Sequence, residues 1–197
     1  MLKCDMLIDS NDIKSTLSKL KNQDNYCVLL DVTIIDYLKF PDITPSRFAV
    51  VYILRDKTFK NQISVKAFID DNTLTIDSIS DLFSSANWGE REAYDQYGIN
   101  FKGHPNLKRL LNHHQFVGHP LRKDYEITKG QICTETEDLM DEMDPLLTSK
   151  GYTPEDINDL MLLNVGPSHP ASHVTIRNFM ALEGESITAC VTEIGYL

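Results

Sequence analysis

Apolar and polar positions alternate most cleanly along Gln62 to Ile69, which reads as a strand. Ser64, Lys66 and Asp70 alternate with Ile63, Val65 and Ala67, the pattern of a half-buried strand. Arg47 to Arg55 reads as a second strand, and Asp56 to Asn61, polar and without Pro or Gly, has the length of a hairpin connection. Upstream, Ile13, Leu17 and Leu20 recur at helical spacing, and Ser10 can cap a helix running from Asn11 to about Gln23. Tyr26 to Ile35, rich in Val, Ile, Leu and Thr, is a further strand. Ser78 to Ser85, a short helical or loop piece, leads into a helix holding Trp88, where Ala86, Glu90, Ala93 and Tyr97 share one face. Two readings stay open for Glu90: a contact on the sheet side or with a partner, or a rim carboxylate paired with Arg91 or another base. Trp88 and Tyr97 are expected to join the core, each contributing on the order of 2 kcal/mol. Gly98 ends that helix, because glycine tolerates the left-handed conformation. Leu107, Leu110 and Leu111 then suggest a short helical turn with Lys108 and Arg109 on another face.

Farther on, Thr134 with Glu137 resembles a capping box, and Leu139, Met140, Met143 and Leu147 lie roughly along one helical face. Asp144-Pro145 is expected to stop that piece, and Thr153-Pro154 to open a second helix. Leu160 to Val165 is strand-like until Gly166-Pro167 breaks it. Val174 to Leu182 and Ile187 to Glu193 form a hairpin across Glu183-Gly184-Glu185. The fold class is therefore α+β: a mixed or antiparallel sheet packed with helices, then an extended basic arm, an acidic connector and a β-hairpin. The expected divisions are 1–125 for the α+β domain with its arm, 126–159 for the acidic linker, and 160–197 for a terminal β segment.

Charge changes this picture in one place. The 197 residues carry a formal net charge of -10, with a pI near 5.0, which argues against general nucleic-acid or anionic-membrane binding. Yet residues 96–123 contain no acid, five bases (Lys102, Lys108, Arg109, Arg122, Lys123) and four of the six histidines. Two copies of Gly-His-Pro, at 103–105 and 118–120, hold His104 and His119 in extended backbone, since a proline disfavours helix at the residue before it. The few aromatics in this stretch do not make a nucleic-acid platform. A solvated basic loop and a docking arm are the competing readings. His104 and His119 suit hydrogen-bonded structural roles better than metal ligation, and His113-His114 is a weak metal signal without ligand partners at useful spacing. Asp124 to Asp159 reverses the sign, with eleven acids against Lys129 and Lys150. The longest purely apolar run, Phe48 to Leu54, is far short of the roughly 20 residues a membrane helix needs. Cys4, Cys27, Cys133 and Cys190 are isolated, unlike the closely spaced thiolates of cluster and zinc sites.

The run Glu90-Arg91-Glu92, Tyr94-Asp95, Gly98-Ile99, Phe101, Gly103-His104-Pro105, Leu107, Arg109 and Gly118-His119-Pro120-Leu121-Arg122-Lys123-Asp124-Tyr125 closely resembles the C subunit of NADH:quinone oxidoreductase, respiratory complex I. Asp31 to Tyr37 resembles the same subunit. Asn164 to His173, with Arg177, Leu182, Gly184-Glu185 and Ile194 to Leu197, resembles the opening of the D subunit, so the chain looks like the beginning of a fused C/D subunit. The chain stops within that second pattern, and a fragment inactive on its own is expected.

The resemblance implies a peripheral-arm subunit of a proton-pumping complex at the cytoplasmic side of the bacterial inner membrane. Membrane contact would come only through the complex. It implies no cofactor bound by this chain, quinone as substrate of the complex, and NADH, FMN and iron–sulfur clusters on other subunits. The absence of G-x-G-x-x-G agrees with that division. Arg109, His104, His119, Arg122, Lys123 and Asp124 become an interface with neighbouring subunits, including iron–sulfur subunits; no nucleic acid is implied. His169 and His173 become quinone-binding residues, with His173 at the tip of a hairpin loop where an imidazole suits proton transfer. Val174 stands where the family pattern has glycine. A membrane-bound nickel–iron hydrogenase of the formate hydrogenlyase kind shares the C-like plus D-like plan and is the alternative enzyme; a fragment that only docks is the third reading.

Overall fold

The computed structural model describes residues 4–41, 44–131, 136–168 and 175–194. It divides into two units, one of 1–110 with 118–129, the other of 111–117 with 130–197.

The first unit is built on a mixed four-stranded sheet in the order β1-β4-β3-β2, from β1 (Met6–Ile8), β2 (Val28–Asp36), β3 (Phe48–Arg55) and β4 (Gln62–Ile69). β3 and β4 are antiparallel in the register Arg55↔Gln62 to Phe48↔Ile69, while β1 runs parallel to β4. Their hairpin is fixed by Asp56, whose carboxylate accepts from the Thr58 hydroxyl (2.9 Å), the Asn61 amide (2.7 Å) and the Lys60 N–H (3.1 Å). Such a local side-chain cage does the work of a turn glycine.

Register carries the core. Val32, Tyr52 and Val65 lie across from one another, as do Ile34, Val50 and Ala67, and all six are buried. Ile13, Leu17 and Leu20 of α1 (Ile13–Asn22) and Ala86 and Ala93 of α2 (Ala86–Tyr97) join the same cluster. Each large side chain removed from water there is worth roughly 1.5–3 kcal/mol. A β-bulge interrupts the β2–β3 pairing between Leu29 and Asp31, leaving Leu30 and Asp31 both exposed. A short parallel pair, β5 (Thr75–Asp77) with β6 (Asn100–Lys102), brackets α2 in sequence.

Several sequence expectations need correcting. Asp9, not Ser10, supplies the first cap: its carboxylate accepts from the Asn11 N–H at 2.8 Å, and a 3₁₀ turn over Ser10–Asp12 precedes the α-helix. Trp88 is 69% exposed and takes no part in the core. The helix touches the sheet through Gly89 instead, where an added Cβ would sit 3.1 Å from Val32 Cβ. That close approach turns Ala86, Glu90 and Ala93 inward and Trp88 outward. Residues 103–131 contain neither helix nor strand, so no helical turn forms at Leu107 to Leu111.

In the second unit β7 (Met161–Ser168), β8 (Ile176–Glu183) and β9 (Ser186–Ile194) form an antiparallel sheet. Phe179 and Ala181 of β8 and Ala189 and Val191 of β9 pack with Leu139, Met143 and Leu147 of α3 (Thr136–Ser149). The acidic stretch thus supplies half of a hydrophobic core. Pro145 lies inside α3 rather than ending it. The proline removes one N–H from the helix ladder, but burial of Leu147 one turn beyond Met143 carries the helix through. Thr153 caps α4 (Pro154–Asp159), with Asp156 returning the bond in a capping box. β7 continues past Val165 to Ser168 with a register shift where a break was expected. Thr134, Cys133, His169, His173 and Val174 lie outside the described residues.

Candidate functional site

The basic arm is the distinctive chemistry of the first unit, and its backbone and side chains converge on the C-terminal end of α2. A helix leaves its last carbonyls without internal partners and carries a partial negative charge there. The arm supplies donors to three of them. The Asp95 carbonyl accepts from Arg109 Nη1 (3.2 Å) and His119 Nδ1 (2.9 Å), that of Gln96 from the Leu121 N–H (3.2 Å), and that of Tyr97 from Arg122 Nε (2.6 Å). Gly98, at φ 74°, donates to the Tyr94 carbonyl at 2.8 Å and closes the helix as its sequence position foretold. A side chain there would also strike His119 Nε2 at 2.5 Å and Arg122 at 2.6 Å.

Asp95 adds a buried charge. Its carboxylate accepts from Arg109 Nη1 at 2.6 Å and from the Leu110 N–H at 3.0 Å, while Arg109 Nη2 donates to the Gly118 carbonyl at 2.9 Å. Arg91, one turn earlier, donates to the carbonyls of Lys108 (3.2 Å) and Arg109 (2.9 Å). Both Gly-His-Pro histidines are hydrogen-bonded within the unit. His104 Nδ1 accepts from the Asn106 N–H, so its Nε2–H donates to the Asn87 carbonyl at 3.0 Å. His119 Nδ1 must carry the proton it gives to the Asp95 carbonyl. Burial lowers its pKa, and the charges of Arg122 and Arg109 reinforce that, so the neutral ring is favoured.

The far end of the arm is clasped by Arg47. Its guanidinium binds Asp36 through Nε (2.9 Å) and Nη2 (2.8 Å), and Asp124 through Nη1 (2.9 Å) and Nη2 (2.6 Å). The Lys123 N–H adds a bond to Asp36 at 2.9 Å, and the guanidinium groups of Arg47 and Arg122 both lie against the Phe48 ring. Hydrogen bonds from Arg47 hold the Asp124 carboxyl down at about 2. Burial works against ionisation of Asp36, yet Arg47 and the N–H groups of Lys123 and Leu38 outweigh it and lower its pKa.

Glu90 takes the sheet-side reading, fully buried, and is not a rim carboxylate paired with Arg91. It accepts from the Ser78 hydroxyl (2.6 Å) and the Ile79 N–H (2.7 Å), tying the loop before α2 to the helix. Burial pushes its pKa up to about 7 against those two bonds.

Residues 6–131 match the family described as respiratory-chain NADH dehydrogenase, 30 Kd subunit. The chain belongs to that family. It is 39% identical over 191 residues to the C/D subunit of NADH-quinone oxidoreductase from Bdellovibrio bacteriovorus, covering 96% of this chain and 32% of that protein. The C/D subunit from Acinetobacter baumannii (strain AYE) is 35% identical over 182 residues, covering 87% and 30%. The chain therefore spans about a third of the length of these curated relatives. A chain of the membrane-bound sulfane sulfur reductase, an archaeal respiratory membrane complex, shares the fold with a TM-score of 0.53 at 21% identity, covering 62% of this chain and 71% of that one.

The family match includes every arm residue singled out from the sequence: His104, Arg109, His119, Arg122, Lys123 and Asp124. It also includes His113 and His114, whose partner lies beyond it. In the second unit His113 Nε2 is 3.0 Å from Glu193 Oε1, and Arg177 Nη1 is 3.8 Å from Glu193 Oε2 while its Nε donates to Asn164 at 3.0 Å. His113, His114 and Glu193 could offer three donor atoms within 4.8 Å of one another. The hydrogen bonding fits a proton shared within the protein better than a metal ion. The Gln115 N–H donates to His113 Nδ1, which puts the ring proton on Nε2 and aims it at Glu193. A metal on Nε2 would force that proton onto Nδ1, against the Gln115 N–H, beside a guanidinium. Glu193 was missed from the sequence because it is 80 residues away. The two histidines expected to bind quinone, His169 and His173, lie outside the described residues.

Proposed function

We propose that this chain is the scaffold portion of a peripheral-arm subunit of proton-pumping NADH:quinone oxidoreductase, held at the cytoplasmic side of a bacterial inner membrane through its partner subunits. The observation that carries the reading is the family match over 6–131, together with 39% identity across 96% of the chain to a C/D subunit. The chain binds no cofactor of its own in this reading. Quinone is the substrate of the complex, and NADH, FMN and the iron–sulfur clusters belong to other subunits.

Two parts of the chain have distinct duties. The arm, with its guanidinium groups committed to α2 and β3, is a rigid edge that presents the exposed side chains of Lys102, Lys108 and Lys123 to neighbouring subunits. Acidic surfaces on iron–sulfur subunits are the chemistry such an edge would meet. In this reading His169 and His173, which follow β7 in sequence, are the quinone-binding residues, since an imidazole, with an unperturbed pKa of about 6.5, suits proton transfer to a quinone oxygen.

The test separates scaffold from site. His173→Ala in the full-length protein, assembled in membranes, is expected to cut quinone reduction while NADH oxidation by an artificial acceptor continues. Equal loss of both activities means failed assembly, and unchanged quinone reduction removes His173 from the mechanism.

A further inference from the structure

We propose that Trp88 and Glu92 of α2, with Asp31 of β2, form a docking site for an arginine-bearing segment of a partner protein. The proposal goes beyond the assigned role in the complex and stands on the first unit alone.

Trp88 is the single tryptophan of the chain and is 69% exposed on a helix whose neighbouring face is packed to contact. Gly89 packs against Val32, with Ala86, Glu90 and Ala93 buried on the inward side of the helix and the indole left outward. Glu92, one turn on, shares the outward face with Trp88, as residues four apart on a helix do. The β2 bulge at Leu29/Asp31 turns Asp31 outward as well, with the 46%-exposed Leu30 beside it. Neither carboxylate makes a hydrogen bond or ion pair among the described residues. The base nearest in sequence, Arg91, spends its guanidinium on the carbonyls of Lys108 and Arg109.

The Gly89–Val32 contact brings Asp31, next to Val32, and the Trp88–Glu92 turn of α2 to the same edge of the unit, where both carboxylates are exposed. The Glu92 carboxyl is pushed up by burial first and then by the negative charges of Asp31 and Asp95. An incoming cation relieves that repulsion, and an exposed indole beside it selects which cation. A guanidinium stacks flat on a tryptophan face and pairs with a carboxylate in its own plane, whereas an ammonium offers a compact, strongly hydrated charge. The exposed indole and Leu30 supply the apolar area of a binding hot spot, which a free small cation would leave uncovered. A peptide segment carrying arginine meets all of these conditions.

Because Trp88 is the single indole, its fluorescence reads the site directly. Titration of the 197-residue chain with tetra-arginine is expected to give a saturable change in emission. Tetra-lysine, and tetra-arginine with the Asp31→Asn/Glu92→Gln variant, are expected to bind about tenfold more weakly. A melting curve on each variant confirms the fold, which these surface positions leave intact. An equal response from the two peptides, an equal response from variant and parent, or no saturable response overturns the proposal. Concentration-dependent self-association that buries Trp88 also overturns it, in favour of a second copy of this chain. In the assembled membrane complex, Trp88 is expected to be protected from hydroxyl-radical oxidation relative to the isolated chain. Equal oxidation there overturns the docking site even if the peptide binds, and leaves the assignment to the complex standing.

Discussion

Arg47, at the entrance to β3, holds Asp124, 77 residues later, through two hydrogen bonds of 2.6 and 2.9 Å while gripping buried Asp36 with two more. One guanidinium thus ties a strand, a strand end and the arm together, using the planar fork geometry that lysine lacks. Arg47→Ala is expected to cost about 3 kcal/mol, because it strands the buried Asp36 carboxylate. Asp124→Asn, at a side chain 53% exposed, is expected to cost under about 1 kcal/mol. Chemical denaturation of the two variants measures the contrast, and equal losses would refute the hierarchy.

Acid should release this clasp late. The folded pKa values of Asp36 and Asp124 are both below the ordinary carboxylate range, that of Asp124 at about 2. Their contribution is present above the unfolded value and is lost as pH falls through the folded one. Arg47→Ala is therefore expected to flatten the decline in stability below pH ~4, measured as melting temperature against pH.

Glu90 has the opposite sign. Its folded pKa, about 7, lies above the ordinary 4.5, so the folded state holds a proton that the unfolded chain has released. Its contribution is fully present below 4.5 and disappears as pH rises through 7, a change on the order of 3 kcal/mol. Glu90→Gln keeps the shape and should remove that slope, raising stability at pH 8 relative to the parent. A parent whose stability is flat between pH 5 and 8 would contradict the assignment.

At Gly98, alanine meets two obstacles: a left-handed backbone costing about 1–2 kcal/mol, and a Cβ 2.5 Å from the His119 ring. The second obstacle should expel the arm. Gly98→Ala is expected to accelerate trypsin cleavage after Arg122 and Lys123, whereas the parent is cut there slowly. Unchanged cleavage kinetics would show that the arm shifts without detaching.

Much of this was legible because it is local. The strands β3 and β4, the β8–β9 hairpin and the stop at Gly98 each depend on residues within one element or turn, but β4 is not half-buried as its alternation suggested: Lys66, on the polar side of the pattern, is 1% exposed. Trp88 misled because a large aromatic on an amphipathic helix suggests a core, and the deciding contact belongs to its neighbour Gly89 against Val32. β1 was invisible because three residues become a strand through pairing with β4, with Met6 opposite Val65. The charge pattern did mark the arm, but the purpose of that charge, completing the end of α2, needs the fold to bring residues 119–122 beside residues 95–97.

The chain crosses between its two units more than once: residues 111–117 belong with the second, and 118–129 return to the first. Dissection with a single cut cannot respect that path. A fragment ending near residue 129 would keep the clasp on Asp124 but carry His113 without Glu193, exposing a histidine that has no solvent-facing role in the uncut chain. A fragment starting at residue 130 would bury Glu193 and Arg177 with one of their companions missing. Expression of the halves should therefore favour co-expression or circular permutation over simple truncation, with solubility as the practical readout.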